Sequence, residues 1–501
     1  MPLSRPPVAL LAALTLVSAV TACTNAAVGD PIGVAVESQK PTSSTKKAPP
    51  AAPPRNKIAL GVENGRQSGG TVIAGAADAP YNYAPAVMVD NGRVRAWWCS
   101  QLSAAPPGGD DILYSDGPSV GGPYSTAVPV FSGSGTSFDA MHTCDPSVIK
   151  ISDTYYMYYT GAARDNHANG SSVGVASSKD GITWKRENGG QSLLGPANDN
   201  IRENTYGAGQ QSAVYLDGWV YLMFTDTTGL ASHQNGAGQY VLRSTDPTFA
   251  QGVQALGTQG FKPVTSNNSP RTRSVVEAFS ADWMWIEAVG SFAIAHETDD
   301  GTTITFWNKD FTRHPFEPVV IPGPWKEGPG LLRSPAGHAL VDAKDPCGRV
   351  AIDVLRGTVE GPAGPTDIAH FGIDAVGLKG CATAAEARAL NGFAVPSPER
   401  TLDVVVGGNV MRFERRSVAE KFARGVLGTR PQGVDGLKLA VSVPAGAPAV
   451  TGPDNQVGLL LDGRLWVVGS PEVATLNSSP ITQVTAEQWA KYERLPDLSR
   501  R

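Results

Sequence analysis

The sequence predicts an all-β fold, a five-bladed β-propeller followed by a small C-terminal α+β module of two hairpin-helix repeats. A recurring strand-pair unit leads there: CDPSVIKISDTYYMYYTGA begins at Cys144, YAPAVMVDNGRVRAWWC at Tyr83 and GQQSAVYLDGWVYLMFTD at Gly209, with the anchors Pro85, Pro146 and Gln211 spaced 61 and 65 residues apart. Regular recurrence of one unit means one repeated building block. The second observation is compositional: 56 Gly and 39 Pro accompany scarcely any helical periodicity before about residue 380, as short strands with many turns require.

Residues 1–22 carry Arg5, an apolar run from Val8 to Val20 and a small-residue end, an export signal too short to span a membrane. Val20-Thr21-Ala22-Cys23 resembles the lipobox of bacterial lipoproteins, which makes Cys23 the expected lipid-attachment site and places the protein on the extracytoplasmic face of the cell membrane. Residues 23–57 include PTSSTKKAPPAAPPR and offer almost nothing for a core; they read as a disordered Pro/Ala/Ser/Lys tether.

The propeller is expected over 58–375. Each unit continues past its strand pair, as in SSVGVASSKDG and ITWKRE, which supply a third strand, a turn at Asp180-Gly181 and a fourth strand. Four antiparallel strands make a propeller blade. Blades are expected at about 70–130, 139–190 and 203–262, a fourth from Ala281 (ADWMWIEAVGSFAIAHE) and a fifth from Glu327 (EGPGLLRSPAGHALVDAK, then GRVAIDVLRG). A β-sandwich would not repeat an aromatic second strand at near-constant spacing. Over 376–501, VVVGGNVMRFERRSVAEKFA and LLLDGRLWVVGSPEVATLN each read as strand, tight turn, strand and a short helix opened by Ser417 or Ser470.

Net charge is −5 and no basic run is dense enough to follow a phosphate backbone, which argues against nucleic acid. Setting Cys23 aside leaves Cys99, Cys144, Cys347 and Cys381, an even number in an exported chain, so disulfides are expected. Three pairings are open. Cys99 closes the second strand of one unit and Cys144 opens the next, which favours Cys99 with Cys144 and Cys347 with Cys381. No C-x-x-C or His cluster suggests a metal, and no cofactor is expected.

Inner strands of a propeller start near the axis, so their first residues converge on one funnel. Those residues are Ala84, Asp145, Gln210, the neighbourhood of Glu277 to Glu287, and Glu327. Two carboxyl groups flanking a bond, one protonated and one ionised, are the minimum for splitting an acetal linkage. Asp145 is expected as base or nucleophile, with Glu327 or Glu287 as proton donor. Tyr83, Trp98, His142, Gln210, Asp226 and Trp285 are the candidate substrate contacts, beside further aromatics at Tyr81, Trp97, Tyr206 and Trp325, because sugar C–H faces pack on rings.

APAVMVDNGRVRAWWC, the CDPSVIKISDTYYMYYTGA unit with SKDGITWKR, GAGQQSAVYLDGWVYLMFTD and EGPGLLR resemble the five-bladed propeller glycosidases, glycoside hydrolase family 43 and its neighbours 62, 32, 68 and 130, over about 300 residues. The resemblance implies a hydrolase of furanoside or pentoside linkages, of arabinofuranosidase, arabinanase or xylosidase type, acting on envelope or environmental polysaccharide. It matches Asp145 to an Asp-Pro blade start and Glu327 to the E-G-P around the family's acid. Ala84 stands where the family's first Asp belongs, and Glu327 falls in the fifth blade. Either Asp78, Glu203, Glu277 or Glu287 completes the set, or the propeller is a glycan-binding or scaffold lipoprotein that does not cut. A phosphorylase would need an Arg, Lys or His cluster for phosphate.

Overall fold

A computed structural model of the chain describes residues 57–74, 79–101, 108–164, 170–204, 206–361, 364–468 and 470–495. The export signal, Cys23, the tether up to residue 56 and Asp78 lie outside the described residues. The protein is nearly all-β, with 48% strand and 9% helix. No helix among the described residues is long and apolar enough to cross a membrane.

Five antiparallel meanders follow one another. The first comprises Asn82–Asp90, Arg93–Ser100, Asp111–Gly117 and Val128–Phe131, and the second His142–Ile151, Thr154–Ala162, Ser172–Ser178 and Lys185–Arg186. The third runs from Ala208–Leu216 and Trp219–Asp226 to Gly260–Pro263, the fourth from Ala281–Ile286 and Ser291–Thr298 to Val319–Ile321. The fifth holds Glu327–Arg333, Arg349–Gly361 and Gly364–Val376. Tight hairpins join the first two strands where the sequence offers residues that accept positive φ: Asn91 and Gly92 at 51° and 75°, Asp217 and Gly218 at 50° and 81°.

Alternation along each second strand explains its aromatic content. Successive side chains point to opposite faces, so Trp97 packs with Val148 and Met157 of the second meander while Trp98 packs with Leu355 and Ile368 of the fifth. Tyr158 meets Ala213 and Leu222 of the third, Tyr221 meets Trp283 and Phe292 of the fourth, and Met284 meets Leu331 and Ile352 of the fifth. Each meander therefore packs on the next and the fifth on the first. Trp97, Trp98 and Trp283 are wholly buried; truncating any of them to Ala costs about 3–5 kcal/mol.

Two expectations change. The strand Gly61–Ile73, near the expected start of the first unit, is instead the outermost strand of the fifth, paired antiparallel with Gly364–Val376. It is fastened by Arg66, whose guanidinium takes Asp353 through two bonds of 2.7 and 2.9 Å and Asp374 through one of 2.9 Å. The partner of Glu327–Arg333 is Arg349–Gly361, not the GHALVDAK segment, because residues 334–348 form a connection whose His338 bridges to Trp285.

Beyond residue 376 the hairpins Leu402–Val406 with Asn409–Phe413 and Val457–Leu461 with Arg464–Val467 lead into helices Arg416–Phe422 and Pro471–Leu476. Ser470 caps the second helix by accepting from Glu472 N, whereas Ser417 lies inside the first, whose N-cap position is Arg415, with no side-chain cap. A further helix, Ala486–Lys491, opens with a Thr485 and Gln488 capping box that the sequence reading passed over. Disulfides join Cys99 to Cys144 and Cys347 to Cys381, the favoured pairing.

Candidate active site

The inner strands share one local device. Pairing to the second strand slips between Tyr83 and Ala86, Cys144 and Ser147, Gly209 and Ser212, and Glu327 and Gly330. Within each slip one residue has positive φ: Ala84 at 46°, Asp145 at 47°, Gln210 at 48° and Gly328 at 65°. Such bulges take a residue out of the ladder and re-aim its side chain. Three of the four are followed by Pro, which has no amide hydrogen to leave unpaired. The fourth meander has no slip; its pairing from Ala281 to Ile286 is continuous.

The equivalence places Gly328, not Glu327, at the position of Asp145. Glu327 aligns with Cys144, one residue earlier than the sequence alignment of blade starts assumed. Glycine is required at 328: a Cβ there would lie 2.6 Å from Ala84 Cα, where the fifth inner strand meets the first in parallel pairing at Leu332 and Val87.

Asp145 and Glu327 nevertheless share one site. Asp145 is 6% exposed, and its Oδ2 accepts from Tyr206 Oη at 3.0 Å. Gly209 leaves room for this contact, since a Cβ would come within 2.5 Å of the Tyr206 hydroxyl. Gln211 donates to the Asp145 carbonyl and, at 3.1 Å, to that of Tyr158. Gln210 donates from Nε2 to Glu327 Oε1 at 3.1 Å, and its own Oε1 is buried without a partner.

Burial pushes the Asp145 carboxyl up to about 6, with the charge of Asp110 adding and hydrogen bonds from Thr160 and Tyr206 opposing. Burial pushes Glu327 up to about 8, helped by the charges of Asp145, Asp110 and Glu360 and opposed by the Gln210 bond. Tyr83 is raised by burial and then by the charges of Asp110, Glu327 and Asp145, and Tyr206 by burial and then by Asp145.

Asp110 is the residue sequence reasoning missed. It precedes the third strand of the first meander, accepts from Tyr81 Oη and has Oδ2 3.0 Å from His142 Nδ1. Its only signal was the acidic pair Asp110-Asp111, outside any blade start. A carboxylate thus enters from the meander whose blade start is Ala84. The Asp110 carboxylate and the sulfurs of Cys99 and Cys144 lie within 4.8 Å of one another, but both sulfurs are in a disulfide and have no thiolate to offer a metal.

Asp145, Glu327, Gln210, Tyr83 and His142 are therefore assembled. Four other candidates are not. Glu287 follows the far end of the Ala281–Ile286 strand and accepts from Trp285 Nε1 at 2.7 Å; Trp285, at that same end, is buried with its ring 4.9 Å from that of Phe292. Trp98 is wholly buried and donates to Asn82 Oδ1 at 2.8 Å. Asp226 is wholly buried, accepting from Ala197 N, Thr228 N and Arg271 Nε at 2.8, 3.0 and 3.3 Å, so it ties loops together.

The bulge residues Ala84, Asp145, Gln210 and Gly328 together line a small pocket of about 30 Å3. The buried pair Arg333 and Asp282, 3.0 Å apart, also lines it, with Leu331 N donating to Asp282 at 2.7 Å. Beside it a cavity of about 360 Å3 is lined by Gln210, Phe279, Glu297, Trp325 and Glu327 among others.

No protein-family model matches the chain, and no curated protein does. Among solved structures it is similar to glycoside hydrolases. One is a family 117 enzyme from the marine bacterium Zobellia galactanivorans, at 15% identity over 64% of this chain and 92% of that one, with a TM-score of 0.42. Another is the α-L-arabinofuranosidase of Podospora anserina in complex with cellotriose, at 12% identity over 62% and 97%, TM-score 0.41. The catalytic domain of the family 62 α-L-arabinofuranosidase of Coprinopsis cinerea is similar at 11% identity over 63% and 97%, TM-score 0.37.

Proposed function

We propose that the chain is an exported, lipid-anchored glycoside hydrolase on a five-bladed propeller spanning 58–375, each meander being one blade, cleaving a furanoside or pentoside linkage. The observation that carries the chemistry is the pair of unlike carboxyls in one funnel: Glu327, pushed up to about 8, beside Asp145, pushed up to about 6. Near pH 7 the first holds a proton and the second has lost one, the acid and base assignment that acetal cleavage needs. Glu327 gives its proton to the leaving oxygen as the glycosidic bond breaks. Asp145 takes a proton from the water whose oxygen bonds to the anomeric carbon. Two disulfides support an oxidising, extracytoplasmic setting, and Cys23 is the proposed anchor. The module over 376–501 is given no role in the chemistry.

The test is sugar release from a panel of furanoside and pyranoside substrates by the wild-type protein and by Asp145→Asn and Glu327→Gln, with folding checked by circular dichroism. Each variant is expected to lose at least about a hundred-fold in kcat; unchanged turnover in either overturns its assignment. Ala84 at a blade start favours a second reading, a propeller that binds glycan without cutting it, which expects binding with no sugar released by any of the three proteins.

A further inference from the structure

The cavity beside Glu327 is walled by groups held in place before any ligand arrives. Arg356 is wholly buried, and its guanidinium donates to the carbonyls of Pro324, Ile321 and Pro322 at 3.0, 3.2 and 2.9 Å. The chain that enters Trp325 and Glu327 is therefore clamped from the fifth meander. The indole of Trp325 is fixed in turn, donating from Nε1 to Thr298 O at 2.7 Å.

Glu297, at the end of the second strand of the fourth meander, completes the wall. Thr302 Oγ1 lies 3.0 Å from both of its carboxyl oxygens and also accepts from Arg356 Nη1. One hydroxyl hydrogen satisfies one oxygen, so Glu297 keeps a second, oriented oxygen able to meet a ligand hydroxyl. Phe279, 37% exposed, adds a further apolar patch. The volume of about 360 Å3 is within the range of small-molecule sites.

A proton donor stands on the side of the departing group. Glu327 lines this cavity and accepts from Gln210, which lines both the cavity and the smaller pocket, whereas Asp145 lines only the smaller pocket. We propose that the cavity is the subsite for the leaving-group sugar, a glycosyl unit stacked by its C–H face on Trp325 and read through a hydroxyl by Glu297. This rests on Glu327 being the acid of a glycoside hydrolase. The glycone then lies on the other side of Glu327, toward Asp145 and Tyr83.

The test compares substrates that share a glycone but differ in leaving group. The full chain and its Trp325→Ala, Trp325→Phe and Glu297→Gln variants are assayed on α-L-arabinofuranosyl and β-D-xylosyl fluoride, whose leaving group is too small to fill the cavity, and on α-1,5-arabinotriose and xylotriose. For whichever glycone is turned over, Trp325→Ala is expected to raise KM for the trisaccharide about ten-fold, a larger loss than on the glycosyl fluoride, and Trp325→Phe to restore most of it. Glu297→Gln is expected to weaken the trisaccharide selectively as well. Equal losses on both substrates, or none, overturn the subsite. If the wild type cleaves nothing, the hydrolase reading has failed separately. Calorimetric titration of the same trisaccharides then decides: binding lost in Trp325→Ala upholds the cavity as a sugar site, and equal or absent binding in both proteins overturns it.

Discussion

Replacing Gln210 by Met separates the acid's environment from the acid itself. The side chains are close in volume, and position 210 keeps the same φ of 48°. The backbone bond from Gln210 N to Thr160 Oγ1, 2.9 Å long, is untouched. What disappears is the Nε2 donor 3.1 Å from Glu327 Oε1 and an Oε1 that has no partner. A donor to a carboxylate favours the ionised form, so its loss raises the acid's pKa. A bond of this kind is worth about 1.5 kcal/mol, hence roughly one pH unit. In the wild type, kcat/KM on an aryl glycoside should rise through about 6 as Asp145 ionises and fall through about 8 as Glu327 loses its proton. Gln210→Met should move the falling limb up by roughly one unit and leave the rising limb in place. A falling limb that stays put or moves down would refute Glu327 as the acid held by Gln210.

Stability should carry the same signature. Glu327 has a folded pKa of about 8 against an ordinary 4.5. Between those values the folded state binds the proton that the unfolded state has released, so its contribution to stability declines as pH rises through this window. Glu327→Gln removes that dependence and is expected to melt about 2–4 °C above wild type at pH 9 and much closer to it at pH 5; a lower Tm at pH 9 would count against a burial-raised carboxyl. Arg66→Ala releases the outermost strand of the fifth meander. With the Arg66 side chain 29% exposed and its partners at 12%, the loss should be about 2 kcal/mol in chemical denaturation, together with faster amide exchange along residues 61–73. Unchanged exchange there would show that the ladder holds without the clasp.

The repeat was legible because its causes are local. Alternating aromatic strands, Asn-Gly and Asp-Gly turns and Pro after the bulge are all written within one unit. Asp145 was legible for the same reason, since it opens the clearest copy. Asp110 was not, because it reaches the site through a loop before a third strand and only the partners Tyr81 and His142 reveal it. Trp98 and Trp285 misled in the opposite way: aromatics near a blade start look like sugar platforms, but period-2 alternation sends Trp98 between meanders and six residues of extended chain carry Trp285 to the far end. The closing strand Gly61–Ile73 escaped notice because its burial is slight and its partner stands at the other end of the repeat. Glu327 was found by its E-G-P context, yet its register was off by one, since glycine at the true bulge leaves no side chain to align.

That outermost strand also sets an order of events. Residues 61–73 are made first, but the ladder they join is not complete until residue 376 has been made. The four earlier meanders can pair within themselves as they emerge, whereas this strand keeps its amides unpaired throughout. Its burial pattern is almost entirely exposed, with Ile73 its one buried residue, so the waiting segment presents little apolar surface to aggregate. The fifth meander is thus completed late by a strand polar enough to wait.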